Sequence, residues 1–126
     1  MTTYSLLITH SPSDVTQTIA AQQFAQNLQL QGHHLDNIFF YGEGVLHANA
    51  LNLAPSDEHA TYHHWCNLHH ATQCQLLVCI TAAIKRGVVS ADEAKDDMHN
   101  LHKPFEQAGL GEFFSALHQC NKLVQF

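Results

Sequence analysis

Gln75–Val89, QLLVCITAAIKRGVV, is the stretch whose reading decides the fold. Its short apolar run reads as a buried strand over Gln75–Cys79, and the residues after it open a short helix, Ile80–Arg86, stopped by Gly87. A strand passing straight into a helix puts Cys79 at the carboxyl edge of a sheet. In open parallel sheets, chemistry gathers outside that edge. A helix start there offers free N–H groups and a partial positive charge, both of which favour thiolate over thiol. Cys79 is therefore the leading candidate for function.

Working outward, Tyr4–Thr9 (YSLLIT) reads as a first buried strand and Val15–Gln31 as a helix. In that helix Ile19, Ala20, Phe24, Ala25 and Leu28 recur at helical spacing, Ser13 or Asp14 can cap its start, and Gly32 stands where a left-handed residue ends it. A second strand follows at Leu35–Tyr41 (LDNIFFY). The connection GEGVLHANALNLAPSDE is too long for a plain turn, and such loops are functional or contain a helical turn. Asp57–Thr72 reads as a helix leading to the strand Gln75–Cys79. Ser90 caps a further helix through Met98, Pro104–Gly111 is irregular, and a helix Glu112–Gln119 precedes a last strand, Lys122–Phe126. Apolar strands alternating with amphipathic helices imply an α/β fold, a mostly parallel sheet with helices on both faces. No repeat, low-complexity tract or linker divides the chain, so one domain over residues 1–126 is expected.

At 126 residues the chain is long enough to bury roughly two thirds of its unfolded surface. Only 13% of residues are charged, where about a quarter is usual, so uncharged polar side chains or neighbouring subunits must cover much of the surface. Eleven acidic and five basic side chains leave a formal charge of −6, and no basic cluster exceeds the pair Lys85-Arg86. Binding a phosphate backbone draws on clustered cations, so direct, tight nucleic-acid binding is disfavoured. No segment reaches the ~20 apolar residues that span a bilayer. The start MTTYSLLITHSPSD lacks the basic opening and long apolar centre of a signal peptide. The expected setting is the cytoplasm, with no membrane partner, where Cys66, Cys74, Cys79 and Cys120 are reduced thiols.

Cys79 carries two readings, a small buried hydrophobe or a nucleophile, and its place at the sheet edge is what raises the second. Spacing fixes no His or Asp partner, so a protease-like dyad has no support. Cys66 and Cys74 lie in or near a helix that packs on the sheet, and Cys120 precedes the last strand; all three read as structural. No C-x-x-C pair is present, so a dithiol redox motif is absent. Within TYHHWCNLHHATQC, a helix would bring His63, Cys66 and His70 to one face, and zinc needs three or four converging ligands. Paired ligand spacing is not repeated, so the reading is a solvated His-rich face and no metal site is assigned. The turn HSPSDVTQT follows strand one as a flavin phosphate loop would, but it contains no glycine, and it reads as a helix cap with no cofactor. Glu43 has no second carboxylate to support two-carboxylate hydrolysis.

Three segments, QQFAQNLQLQGHHLDNIFFYGEGVLHANALNLAPSDE (Gln22–Glu58), LLVCITAAIKRGVV (Leu76–Val89) and GLGEFFSALHQCNKLVQF (Gly109–Phe126), together resemble the sulfur-relay branch of the DsrE family. The combination of FFY-x-EGV-x-x-AN-x-L with the apolar Cys segment and RGV carries the resemblance, which runs from strand one to Phe126. It implies a flavodoxin-like three-layer domain working in a heterohexamer with TusB-like and TusC-like subunits. By that resemblance Cys79 carries the sulfur, accepting persulfide sulfur from a TusA-like donor and passing it to a TusE-like acceptor. The sulfur then ends as the 2-thio group of a tRNA wobble uridine. Tyr41, Glu43 and Asn49 match the family's patterned loop, with no catalytic role assigned. The His-rich segment His63–His70 and the extra Cys66 and Cys74 depart from the family pattern. Two alternatives stay open: a DsrE-type carrier serving sulfur oxidation, and a structural subunit whose Cys79 is buried and unreactive.

Overall fold

The computed structural model describes the chain from Met1 to Phe126. In order along the chain run β1 (Thr3–Ile8), α1 (Val15–Leu30), β2 (His34–Phe40), a 3₁₀ helix (Gly42–Ala48), α2 (Thr61–Thr72), β3 (Gln75–Cys79), α3 (Ile80–Lys85), β4 (Phe105–Ala108), α4 (Leu110–Leu117) and β5 (Lys122–Gln125). The strands form one sheet in the order β4-β3-β2-β1-β5, and every neighbouring pair is parallel. This is a flavodoxin-like α/β fold, and the sheet expected to be mostly parallel is parallel throughout. The chain steps outward from β1 to β4 and then returns past β1 to lay down β5, so its direction reverses between β1 and β5.

Consecutive strand residues point to opposite faces, and β2 uses this at Phe39 and Phe40 to build both layers. Phe40 meets Trp65 of α2 edge to face, with ring centres 5.2 Å apart. Phe39 stacks on Phe113 of α4 at 4.4 Å. All four rings are buried, and each such pair adds about 0.5–1.5 kcal/mol beyond its area. α1 packs beside α2 on the Phe40 side, where its Phe24 meets Tyr4 of β1 at 6.0 Å. α4 covers the other side.

α1 starts where Asp14 accepts a hydrogen bond from the Gln17 N–H at 3.2 Å, and Gly32 follows it with a left-handed φ of 80°. Its buried stripe is Thr18, Ala21, Gln22, Ala25 and Leu28, rotated from the expected one; Ala20 is exposed. The rotation carries two polar side chains inward with their hydrogen bonds made, as buried polar groups require. Thr18 Oγ1 donates to the Asp14 carbonyl at 3.0 Å, and Gln22 Nε2 donates to the Thr61 carbonyl at 3.1 Å.

Three sequence expectations are corrected. Residues 90–98 form turns and no helix: the Glu93 carboxylate does accept from the Ser90 N–H at 3.1 Å, but Asp96 is left-handed at φ 56°, and the mostly exposed run has no apolar stripe to bury. The irregular stretch Pro104–Gly111 contains β4, a short edge strand whose pattern FEQA carries too few apolar residues to announce itself. α2 begins at Thr61, four residues later than Asp57, because Pro55–Glu58 closes a turn of its own through Glu58 N–H to the Pro55 carbonyl at 2.9 Å.

Candidate functional site

Cys79 is the last residue of β3 and the residue from which α3 starts. In register it stands beside Ala108 of β4, while Val78 before it stands beside Phe40 of β2. The chain leaving β2 continues as Tyr41-Gly42, and the chain leaving β4 continues as Gly109-Leu110. These neighbouring strand ends enclose a cleft of about 590 Å³, lined among others by Tyr41, Gly42, Cys79, Lys85, Arg86 and Leu110. Cys79 is only 6% exposed, so the thiol forms part of the cleft floor. A group that reacts with it must enter the cleft.

The walls are fixed by backbone and side-chain bonds. Tyr41 N–H donates to the Ile8 carbonyl at 3.0 Å and Gly44 N–H to the Tyr41 carbonyl at 2.9 Å, pressing the 3₁₀ helix onto the end of β1. Gly44 permits that approach, since a Cβ there would collide with the Ile8 carbonyl. Arg86 Nε donates to Glu43 Oε1 at 3.0 Å and its Nη1 donates to the Ala82 carbonyl at 3.1 Å, tying the end of α3 to the 3₁₀ helix. Gly109 N–H donates to the Glu112 carboxylate at 3.2 Å, which sets the start of α4 at the cleft; with no side chain, Gly109 returns no second bond. Of the patterned-loop residues, Tyr41 lines the cleft, Glu43 holds Arg86, and Asn49 is part of the scaffold, its Oδ1 accepting from Asn100 Nδ2 at 3.0 Å. Lys85, Arg86, Gly109, Leu110 and Asn100 have no site role in the sequence reading. Lys85 and Arg86 carry one signal there, as the only basic pair.

The remaining thiols lie outside the cleft. Burial pushes Cys74 up to about 11. Burial also raises Cys66, and burial with the Asp36 charge raises Cys120. His63, Cys66 and His70 do not come together as a metal-ligand set, and no three His, Cys, Asp or Glu side chains do so anywhere in the chain. Several histidines serve the backbone instead. The rings of His64 and His69 donate through Nδ1 to the Ala60 carbonyl at 2.8 Å and the Cys74 carbonyl at 2.7 Å. His59 Nε2 donates to Gln22 Oε1 at 2.6 Å while its ring stacks on His64 at 4.3 Å. A larger cleft, about 740 Å³, opens between the turn after β1 and the start of α2; its lining contains no thiol. Volume favours that cleft and chemistry favours the smaller one, and reactivity depends on the group present.

A lone thiol on the floor of an open cleft, at the carboxyl edge of an all-parallel sheet, marks an α/β thiol protein. The DsrE/DsrF-like family profile matches residues 3–126, and the chain belongs to that family. Among its relatives, the sulfurtransferase TusD of Pectobacterium carotovorum is 39% identical over 100% of both chains. The sulfurtransferase TusD of Klebsiella pneumoniae is 38% identical over 98% of both, and that of Yersinia pestis 40% identical over 98% of this chain and 96% of the relative. The crystal structure of the ychN protein from E. coli resembles the fold with a TM-score of 0.75 over 100% of both chains, at 16% identity. The chain is a sulfurtransferase of the TusD branch. None of its helices is long and apolar enough to cross a membrane.

Proposed function

We propose that the chain accepts persulfide sulfur on Cys79 from a TusA-like donor and hands it to a TusE-like acceptor. It does so in the cytoplasm, as one domain over residues 1–126 within a heterohexamer of TusB-like and TusC-like subunits. The sulfur ends as the 2-thio group of a tRNA wobble uridine. The observation that supports this reading is the position of Cys79, the only thiol lining the cleft at the ends of β2, β3 and β4.

In the first step the Cys79 thiolate attacks the outer sulfur of a donor persulfide, R–S–SH. The donor S–S bond breaks, the donor leaves as R–S⁻, and Cys79 becomes Cys79–S–SH. In the second step an acceptor thiolate attacks that outer sulfur and releases the Cys79 thiolate. One sulfur atom moves in each step and no external oxidant is consumed. Such exchange runs fastest for an attacking thiol whose pKa lies near ambient pH. The floor position adds selectivity, because only a protruding side chain reaches the sulfur.

Purified protein given a persulfide donor gains one sulfur atom on Cys79, read by mass spectrometry of the intact chain and its peptides. Cys79→Ser abolishes the gain while the circular dichroism spectrum stays unchanged. A Ser variant that still relays sulfur sinks the assignment. The low exposure of Cys79 favours one rival, a structural subunit with an unreactive core cysteine. That rival requires native Cys79 to ignore thiol reagents until the protein unfolds. A carrier serving sulfur oxidation would show the same cysteine chemistry and be distinguished by the proteins that co-purify.

A further inference from the structure

The charged side chains that line the Cys79 cleft are basic, in a chain that is acidic. Eleven acidic against five basic side chains make the molecule acidic, yet two of those five, Lys85 and Arg86, line this cleft and no carboxylate does. Arg86 is already matched by Glu43 at 3.0 Å. Lys85 is exposed on α3 and has no carboxylate within 4.0 Å and no side-chain hydrogen bond. Its charge is therefore the unmatched one at the entrance. Around it the lining turns apolar, with Tyr41 39% and Leu110 43% exposed.

We infer that Lys85 determines specificity for the partner: it recognises carboxylates flanking a thiol that a partner protein carries on a protruding apolar segment. This rests on the proposed role of Cys79. A thiol on the cleft floor requires the partner's sulfur to be carried inward, and the exposed Tyr41 and Leu110 side chains suit an apolar carrier. A partner dense in negative charge is repelled by this chain at large. Screening confines each charge to about 8 Å at physiological salt, so the chain's distant acids weigh little at the cleft; of the nearby carboxylates, Glu43 is engaged by Arg86 and Glu112 by the Gly109 N–H, which leaves Lys85 as the unpaired charge. Rim charges of this kind set association rate and salt dependence.

The test uses the full chain and two synthetic peptides of equal length, each with one persulfidated cysteine among apolar residues, one flanked by Glu and one by Lys. The rate at which sulfur appears on Cys79 is measured for each and divided by that peptide's rate with free cysteine, which removes intrinsic reactivity. At low salt the Glu peptide delivers sulfur about threefold to tenfold faster. At about 1 M salt, where the screening length is about 3 Å, the advantage disappears. Lys85→Glu reverses the preference. Lys122→Glu makes the same change in net charge on β5, at the far edge of the sheet, and keeps the preference. Equal normalised rates for both peptides, or a preference that survives Lys85→Glu, overturn the inference while leaving Cys79 as the carrier. Sulfur reaching Cys79 from neither peptide overturns the carrier assignment itself, and this inference with it.

Discussion

Asn100 Nδ2 donates to Asn49 Oδ1 at 3.0 Å across a sequence separation of 51 residues. The same side chain donates to the Gly87 carbonyl at 3.0 Å, and its Oδ1 accepts from the Val89 N–H at 2.8 Å. One buried amide thus braces the segment after β2 against the segment after α3, the two stretches that the Glu43–Arg86 pair also ties together beside the cleft.

Removing that amide leaves partners unpaired. Asn100→Ala strands the half-buried Val89 N–H, whereas the carbonyl of exposed Gly87 can turn to water, and an unmet buried group costs about 1–3 kcal/mol. The expected loss is about 1–3 kcal/mol, read as a lower urea midpoint at unchanged slope. A shift below about 0.5 kcal/mol, the usual size of a surface change, would show that the brace is redundant.

Gly44→Ala tests the approach of the 3₁₀ helix to β1. The added Cβ meets the Ile8 carbonyl, which is backbone and cannot rotate away, and overpacking of this kind costs about 1–3 kcal/mol. Relief moves the Tyr41–Gly42 wall. Thermal melting should fall, and the alkylation rate of native Cys79 should change along with it. An unchanged melting temperature contradicts the geometry.

Acid should destabilise the fold through His47. Its Nδ1 accepts from Trp65 Nε1 at 3.0 Å and its Nε2 donates to the His10 carbonyl at 3.1 Å. Burial first, and the nearby His10 charge second, hold its pKa at about 3 against an ordinary 6.5. Between those values the unfolded chain binds a proton that the folded chain refuses. The stabilisation is complete above about pH 6.5 and is lost progressively as pH falls toward about 3. The loss is on the order of 4 kcal/mol at the acid end. His47→Gln, which can accept and donate without titrating, should flatten the decline in urea midpoint over this range; an equally steep decline places the effect elsewhere.

Thiol order should separate Cys74 from Cys79. With its pKa pushed to about 11 and its side chain buried, Cys74 is a thiol at neutral pH and resists alkylation in the folded protein. Peptide mapping after iodoacetamide treatment should find Cys79 labelled in the native state and Cys74 only after denaturation. Early labelling of Cys74 would reverse this order.

Much of the fold was legible because its central strands are apolar runs. YSLLIT, LDNIFFY and QLLVC each announce a buried strand, and Gly32 marks the end of α1. β4 was not legible: Phe105-Glu-Gln-Ala108 pairs with one neighbour only and needs little apolar surface. Missing it also concealed one wall of the site, since Gly109 and Leu110 reach the cleft by following Ala108 in register with Cys79. Cys79 itself was accessible to reading because a strand-to-helix junction is local. Asn100 was not, because one of its bonds reaches back 51 residues to Asn49. The histidines raised the question of a ligand set, which their spacing did not support; in the fold the rings of His64 and His69 are occupied with backbone carbonyls.

The adjacent rings Phe39 and Phe40, one serving each helical layer, limit how the gene can change length. A single codon inserted or deleted between Asn37 and Phe40 exchanges inward and outward parity along the rest of β2, turning each ring toward the wrong helix. The exposed turns at 90–98 carry no such parity and can absorb length variation. Indels in homologous genes should therefore gather in those turns and avoid the codons for β2.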